Sequence, residues 1–332
     1  MAVYESVLDM IGATPMVDVS RLSPNPNVRL LAKMEGQNPG GSVKDRIARQ
    51  MILEAEADGT LRPGSTILEP SSGNTGIALA MICRERGYHL KILLPDSVSV
   101  ERRQMLEVFG AEIISTPGAE GSNGAVRRAI ALADEHPEWV FLYQYGNEAN
   151  PRAHYETTGP EIWDDCPTVT HFVAGLGTSG TLLGCGTFLK EQNPDVQVFA
   201  VEPPSGELVE GLRSLDDGYI PPVFEMWQGM EVLDRKRVVR ALEVWQQTGR
   251  ALSDWQREWG WDGGGAKERP RRVVELVRER AAECGASAGK PLTLLDICCG
   301  EGYYTSAMGS VSNVDAYGFD RSVPTPRKCQ RY

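Results

Sequence analysis

The strongest constraint on this chain is a rhythm. From about residue 28 to residue 203, short β-rich runs alternate with stretches of helical period. The runs are V-R-L-L-A-K-M-E (28–35), T-I-L-E-P (66–70), L-K-I-L-L-P (90–95), A-E-I-I-S-T (111–116) and W-V-F-L-Y-Q (139–144). T-H-F-V-A-G-L (170–176) and V-Q-V-F-A-V-E-P (196–203) complete the set. Helical spacing fills gaps between them, from Ile47 to Ala57, Thr75 to Arg86, Val100 to Phe109 and Ala125 to Glu135. Near-continuous apolar strands separated by helices predict an α/β chain with a mostly parallel sheet covered on both faces. Ligands bind at the carboxyl ends of such strands, so chemistry is expected in the turns there.

After Pro222 the rhythm fails. Residues 234–259 read as helix, W-D-G-G-G-A-K-E-R-P breaks the chain at 261–270, and a basic helix is expected over 271–283. One strand–turn–helix pattern follows at 292–308. Charge divides near the same place. Residues 1–230 hold 17 Lys+Arg against 31 Asp+Glu, whereas residues 231–332 hold 17 against 14. Five of the seven Trp lie between Trp227 and Trp261, which adds to the impression of two parts of different character.

The other bulk features exclude several classes. No apolar run approaches the ~18 residues of a membrane helix. The start carries acids and no basic stretch, unlike a secretory signal. The seven Cys follow no framework spacing, and the adjacent Cys298 and Cys299 lack the spacing of a zinc site. A cytoplasmic enzyme with reduced thiols, no metal and no membrane partner is expected. The acidity of the first 230 residues argues against nucleic acid as a partner there.

Three turns carry the chemistry. In N-P-G-G-S-V-K-D-R (38–46), Lys44 opens a helix after a Gly-rich turn, where backbone dipoles disfavour its protonated form. Such a lysine can form a Schiff base, although a solvated surface lysine reads the same in isolation. In E-P-S-S-G-N-T-G (69–76), Ser71, Ser72, Asn74 and Thr75 surround one helix N-terminus. That arrangement suits a carboxylate, and equally an N-cap with a Gly turn. In G-L-G-T-S-G-T (175–181), Gly permits close backbone approach and the hydroxyls add donors for a phosphate. It lacks the Lys of a nucleotide P-loop and the spacing of a dinucleotide fingerprint, so a phosphate on a small cofactor fits better.

These elements, with I-G-A-T-P (11–15), Q-Y-G-N-E-A-N (144–150) and H-Y-E-T-T-G-P-E (154–161), stand in the order and spacing of one family. Over about residues 3–236 the chain resembles the cysteine synthases, fold-type II pyridoxal-phosphate enzymes. The resemblance implies a tryptophan synthase β-like fold of two three-layer αβα domains with mostly parallel sheets, the C-terminal part being atypical. Residues 1–43 and 151–230 would form the larger, pyridoxal-phosphate-binding domain. Residues 44–150 would form the smaller, substrate-clasping domain, leaving 231–332 as a basic composite tail.

The resemblance also implies residue roles. Lys44 would hold the cofactor as a Schiff base and move the substrate Cα proton. Asn74 would bind the cofactor's 3′ oxygen, and Gly177, Thr178, Ser179, Gly180 and Thr181 its phosphate. Ser71, Ser72, Thr75 and Gln144 would hold the substrate carboxylate. The reaction implied is β-elimination from an activated serine followed by sulfur addition, giving L-cysteine. S-V-S-V-E-R-R-Q-M-L-E (97–107) and G-E-L-V-E-G-L-R-S-L-D-D-G-Y-I-P (206–221) look like the actinobacterial-type branch. That branch prefers O-phosphoserine over O-acetylserine and takes sulfur from a thiocarboxylated carrier protein rather than sulfide. Arg213 matches its phosphate-binding arginine, a role suited to a planar guanidinium. A homodimer is implied as well.

The tail resembles other proteins. Residues 233–256 are similar to a helical stretch of tRNA dimethylallyltransferases, but no nucleotide P-loop accompanies them. Residues 292–305 are similar to motif I of S-adenosylmethionine-dependent rRNA methyltransferases, with Gly300 and Gly302 at the turn and Asp320 placed for the ribose. Cys298 replaces that motif's first Gly. In G-A-S-A-G (285–289), Ser287 would stand in for the cysteine synthase serine that faces the cofactor's ring nitrogen. Two alternatives to an active synthase follow: an impaired composite that retains the cofactor-site residues, and an RNA-modifying methyltransferase built on the tail.

Overall fold

Val, Leu and Ile crowd the strand runs, and Ile67, Leu68, Ile92, Leu93 and Leu94 are almost wholly removed from water. The structure, a computed structural model, describes residues 3–238 except Pro24, Ser72, Glu207, Leu208 and Glu210. Strand β1 (Met16–Asp18) pairs antiparallel with β2 (Leu31–Lys33). Then come α1 (Lys44–Ala57), β3 (Thr66–Pro70), α2 (Asn74–Arg86) and β4 (His89–Pro95). They are followed by α3 (Val100–Val108), β5 (Glu112–Thr116), α4 (Gly121–Glu135) and β6 (Val140–Phe141). The strands of this half form a parallel sheet in the order β5-β4-β3-β6.

Alternate residues of that sheet serve opposite faces, as the pleat requires. Ile67, Ile92 and Leu94 join a core with Ile47, Met51 and Ile52 of α1 and the buried length of α2. Leu68 and Leu93, one position along, meet Ala125, Ala129 and Leu132 of α4. The expected parallel sheet with helices on both faces is therefore present.

The chain then runs through α5 (Ala149–Ala153), a π-helical turn (His154–Thr158) and α6 (Gly159–Asp165). A second parallel sheet, in the order β7-β8-β9, is built from β7 (His171–Gly175), β8 (Gln197–Glu202) and β9 (Arg235–Val238). Helix α7 (Gly180–Gln192) connects β7 to β8, and α8 (Pro222–Met226) and α9 (Gly229–Val232) precede β9. Phe172, Ala174, Val198 and Ala200 bury one face of this sheet with Leu182, Leu183 and Leu189 of α7. Helix α7 also lies hard against the α5–π-turn junction. A Cβ at Gly184 would stand 2.1 Å from the Pro151 carbonyl oxygen, so only glycine permits that approach.

Two expected strands are shorter than their sequence runs. In 28–35 only Leu31–Lys33 pairs, because the Val28 and Leu30 amides donate to Asn25 O and Ser20 Oγ in the preceding loop. In 139–144 the strand stops at Phe141, since Tyr143 turns to φ +50° and its amide leaves the ladder for Glu69. Helices α5 and α6 lie under two of the motifs, where Pro151 and Pro160 disguise helical sequence. Each proline sits in the first turn of its helix, where no amide hydrogen is needed. Among the described residues no helix is long and apolar enough to cross a membrane. The helix expected over 234–259 is not what its first residues form: Arg235–Val238 are strand β9, because the open edge of β8 takes up their backbone groups in a parallel ladder. The patterns expected from residue 239 onward, with Ser287, Gly300, Gly302 and Asp320, lie outside the described residues.

Candidate active site

Three turns follow the carboxyl ends of parallel strands: 71–73 after β3, 142–148 after β6 and 176–179 after β7. Strand β6 pairs directly with β3, Ile67 opposite Val140, which sets Gln144 beside the first of these turns. The Thr75 hydroxyl donates to Gln144 Oε1 at 2.8 Å, and both residues are buried. Ser71 Oγ accepts the amides of Gly76 at 3.0 Å and Gly73 at 3.4 Å, so it caps α2 from within the turn. The capping reading left open for this turn therefore applies to it. Asn74 is the first residue of α2. Ser72 lies outside the described residues.

Glu69 ties the first two turns together. Its carboxyl is wholly buried and accepts the amides of Tyr143 at 2.7 Å and Gln144 at 3.2 Å. Burial pushes it up to about 8, against the opposing pull of the Gln144 and Tyr143 amides and the Gln144 side chain. The left-handed turn at Tyr143 is thus held by a group buried one strand away.

The third turn joins the same assembly through Asn150. Its Nδ2 donates to Gln144 O at 2.8 Å and to Thr178 Oγ1 at 2.9 Å. Ser179, left-handed at φ +70°, places Gly180 and Thr181 at the start of α7, where backbone amides have no helical partner. Thr181 Oγ1 lies 3.2 Å from His154 Nε2, whose Nδ1 lies 3.0 Å from Thr158 Oγ1. Gly177 carries the Leu176–Thr178 bend past the Gly211 carbonyl. Backbone amides and two hydroxyls gathered at the start of a helix make a donor set suited to a phosphate.

Lys44 is the first residue of α1, as the sequence leads one to expect, and is half-buried. Its neighbours are buried and tied down. Asp45 accepts the Gly40 amide at 2.5 Å, closing the N-P-G-G turn, and burial pushes its carboxyl up to about 6. Arg46 bonds Glu35 at 2.7 Å and Glu161 at 2.7 Å, and Lys33 reaches Glu161 at 2.8 Å. Burial alone would raise Glu161, but the bonds and charges of Arg46 and Lys33 hold it at about 2. The start of α1 is therefore pinned to α6 by a buried ionic cluster. Burial, aided by the charges of Lys44 and Arg46, holds His154, which faces Thr181 at the start of α7, well below the usual imidazole range.

Arg213 also belongs to this neighbourhood. Its amide donates to Leu176 O at 2.7 Å, next to the third turn. Its guanidinium lies 4.7 Å from the Tyr145 ring centre and 4.9 Å from that of Tyr219. It donates to Asn123 Oδ1 at 3.0 Å and Tyr145 Oη at 3.2 Å. Glu69, Asn150, His154, Tyr145 and Tyr219 were not singled out from sequence. All five lie within motifs that were, but their partners are 68 to 76 residues away or across a helix pair, which spacing does not reveal.

The model of the family described as pyridoxal-phosphate dependent enzyme matches residues 7–252, beyond Lys236, where the sequence resemblance was taken to end. Cysteine synthase B of Salmonella typhimurium is 45% identical over 215 residues, covering 64% of this chain and 71% of that protein. A cysteine synthase of Staphylococcus aureus is 42% identical over 226 residues, covering 65% and 73%. Among solved structures, that of O-ureido-L-serine synthase aligns with a TM-score of 0.73 at 33% identity, covering 94% of this chain and 98% of that one. A cysteine synthase from Entamoeba histolytica aligns with a TM-score of 0.73 at 28% identity, covering 96% and 93%.

Proposed function

The chain belongs to the pyridoxal-phosphate dependent enzyme family, with its fold-type II architecture, and on that premise we propose that it is a cysteine synthase. It would replace the activated β-hydroxyl of O-phosphoserine or O-acetylserine by sulfur, giving L-cysteine. The observation that carries this reading is the continuous chain of bonds from Thr75 through Gln144 and Asn150 to Thr178. It joins a turn suited to a carboxylate with one suited to a phosphate.

Pyridoxal phosphate is the family's cofactor, and the donors present fit it: amides and hydroxyls at the start of α7. When bound, it supplies an electron sink for the substrate Cα carbanion. Thr178, Ser179, Gly180 and Thr181, with Gly177, hold its phosphate, and Asn74 its 3′ oxygen. Ser71, Thr75 and Gln144 orient the amino acid through its carboxylate. Lys44 would hold the cofactor covalently and, once released as a free amine, would take the proton from substrate Cα as acetate or phosphate leaves Cβ. Sulfur adds to Cβ, and the same lysine returns the proton to Cα. Elimination leaves the proton on the lysine, where sulfur addition needs it, so one group serves both transfers.

Arg213 is assigned to the phosphate of O-phosphoserine. Support comes from its place beside Leu176 and from the Tyr145 and Tyr219 rings, which keep the planar fork in one orientation. The sulfur donor is sulfide or a thiocarboxylated carrier protein, and the assembly a homodimer. Residues 44–150 form the smaller domain; in support, the four-stranded sheet lies wholly within them. The test is direct. The full chain with pyridoxal phosphate, an activated serine and sulfide should release cysteine, and absence of product with both serine esters contradicts the reading.

A further inference from the structure

Resting on the assignment of Thr178 and Thr181 to a phosphate, we propose that Asn150 and His154 are positioning residues for it. They donate into the two threonine hydroxyls from behind, so that both hydroxyls turn their own protons toward the anion.

The Asn150 arm follows from bonding capacity. An amide nitrogen has two hydrogens, and one goes to the Gln144 carbonyl, which can only accept. That bond fixes which end of the amide is nitrogen, so the second hydrogen goes to Thr178 Oγ1. A hydroxyl has one hydrogen and two lone pairs. With a lone pair taken by Asn150, the Thr178 proton remains for a ligand. The arrangement is costly elsewhere, since Asn150 Oδ1 has no partner among the described residues and lies against Gly180. A Cβ there would stand 1.9 Å from that oxygen, so Gly180 is needed for Asn150 to sit as it does.

His154 repeats the arrangement one turn along. It follows Asn150 by four residues, on the π-turn that continues α5, and Thr181 follows Thr178 by three at the start of α7. Two donors on one helical ridge therefore face two hydroxyls, one in the turn before α7 and one in its first turn, at the junction that Gly184 allows to close. A neutral ring carries one hydrogen. The Thr158 hydroxyl can supply Nδ1, which leaves the ring hydrogen on Nε2 for Thr181. In the opposite tautomer Thr181 would spend its proton on the ring and show a lone pair to the anion. Exposure agrees with the division of labour: Asn150 and His154 are 1% and 0% exposed, whereas Thr178 and Thr181 each keep 8%. The supports are shut away from any ligand, whereas both threonines keep some accessible surface.

The experiment compares affinities of the cofactor-free full chain for pyridoxal phosphate and for pyridoxal, which lacks only the phosphate, by absorbance or fluorescence titration. His154→Leu and Asn150→Ala should each weaken pyridoxal phosphate about tenfold and leave pyridoxal within about twofold. His154→Leu added to Thr181→Val should cost nothing further, because it acts only through that hydroxyl. His154→Gln places an amide nitrogen near Nε2, and His154→Asn near Nδ1. The first should keep the affinity and the second lose it, which also serves if His154→Leu does not fold. Equal weakening of both ligands, additive losses in the double variant, or equal affinity of the Gln and Asn variants overturns the proposal. If Thr178→Val and Thr181→Val leave the preference for pyridoxal phosphate intact, the phosphate assignment falls and this inference with it.

Discussion

The Thr75 hydroxyl donates to Gln144 Oε1 across 2.8 Å, and in doing so decides which way the Gln144 amide faces. With the oxygen engaged, its nitrogen and both hydrogens point elsewhere, one interaction being with Glu69. Thr75→Val releases that amide. The expected outcome is a rise of about five- to tenfold in KM for the serine substrate, with a smaller change in kcat. Initial-rate kinetics at saturating sulfide check it, and an unchanged KM contradicts a carboxylate role for this pair.

Arg213 separates the two candidate substrates. Arg213→Ala removes a planar guanidinium fork suited to a phosphate dianion from beside Tyr145 and Tyr219. Turnover of O-phosphoserine is expected to fall about 100-fold or more in kcat/KM, and that of O-acetylserine about fivefold or less. Equal losses would mean that Arg213 only braces the loop against Asn123 and Tyr145.

Glu69 gives a signed pH dependence. Its folded value, about 8, lies above the ordinary carboxyl value, so the folded state holds a proton that the unfolded state releases. Stability tied to this group is full below the ordinary carboxyl range and is lost as pH rises toward about 8. Melting temperatures from pH 4 to 9 should show this decline in the parent chain and a flatter profile in Glu69→Gln. Parallel profiles would show that Glu69 is not its source.

How much of this was legible beforehand depends on the range of the interaction that decides each feature. The β3 run T-I-L-E-P matched its strand residue for residue, because burial on both faces demands a continuous apolar run. Lys44 at the start of α1 was legible from the Gly-rich turn before it. The early end of β6 was not, since Glu69, 74 residues from Tyr143, takes the amide that would have continued the ladder. The motifs placed Thr178 and Gln144 in one site, but the residue that joins them, Asn150, shows its role only in three dimensions. Likewise the buried pairing of Arg46 with Glu161 spans 115 positions, and local pattern carries no trace of it.

The close approach of α7 to the α5–π-turn junction yields a stability test outside the chemistry. Gly184→Val would place its Cβ 2.1 Å from Pro151 O, where backbone cannot yield cheaply. A loss of about 3 kcal/mol is expected, read from urea or thermal unfolding. A variant as stable as the parent would mean that the two helices separate readily.

The central claim rests on Lys44, and the most direct measurement compares the parent chain with Lys44→Ala. Each is loaded with pyridoxal phosphate, scanned in the visible range, and assayed for cysteine from O-acetylserine or O-phosphoserine with sulfide. The parent is expected to show a visible cofactor band that survives gel filtration and to release cysteine; Lys44→Ala should show neither. A parent that stays colourless at saturating cofactor, or a Lys44→Ala variant that makes cysteine at the parental rate, would contradict the assignment.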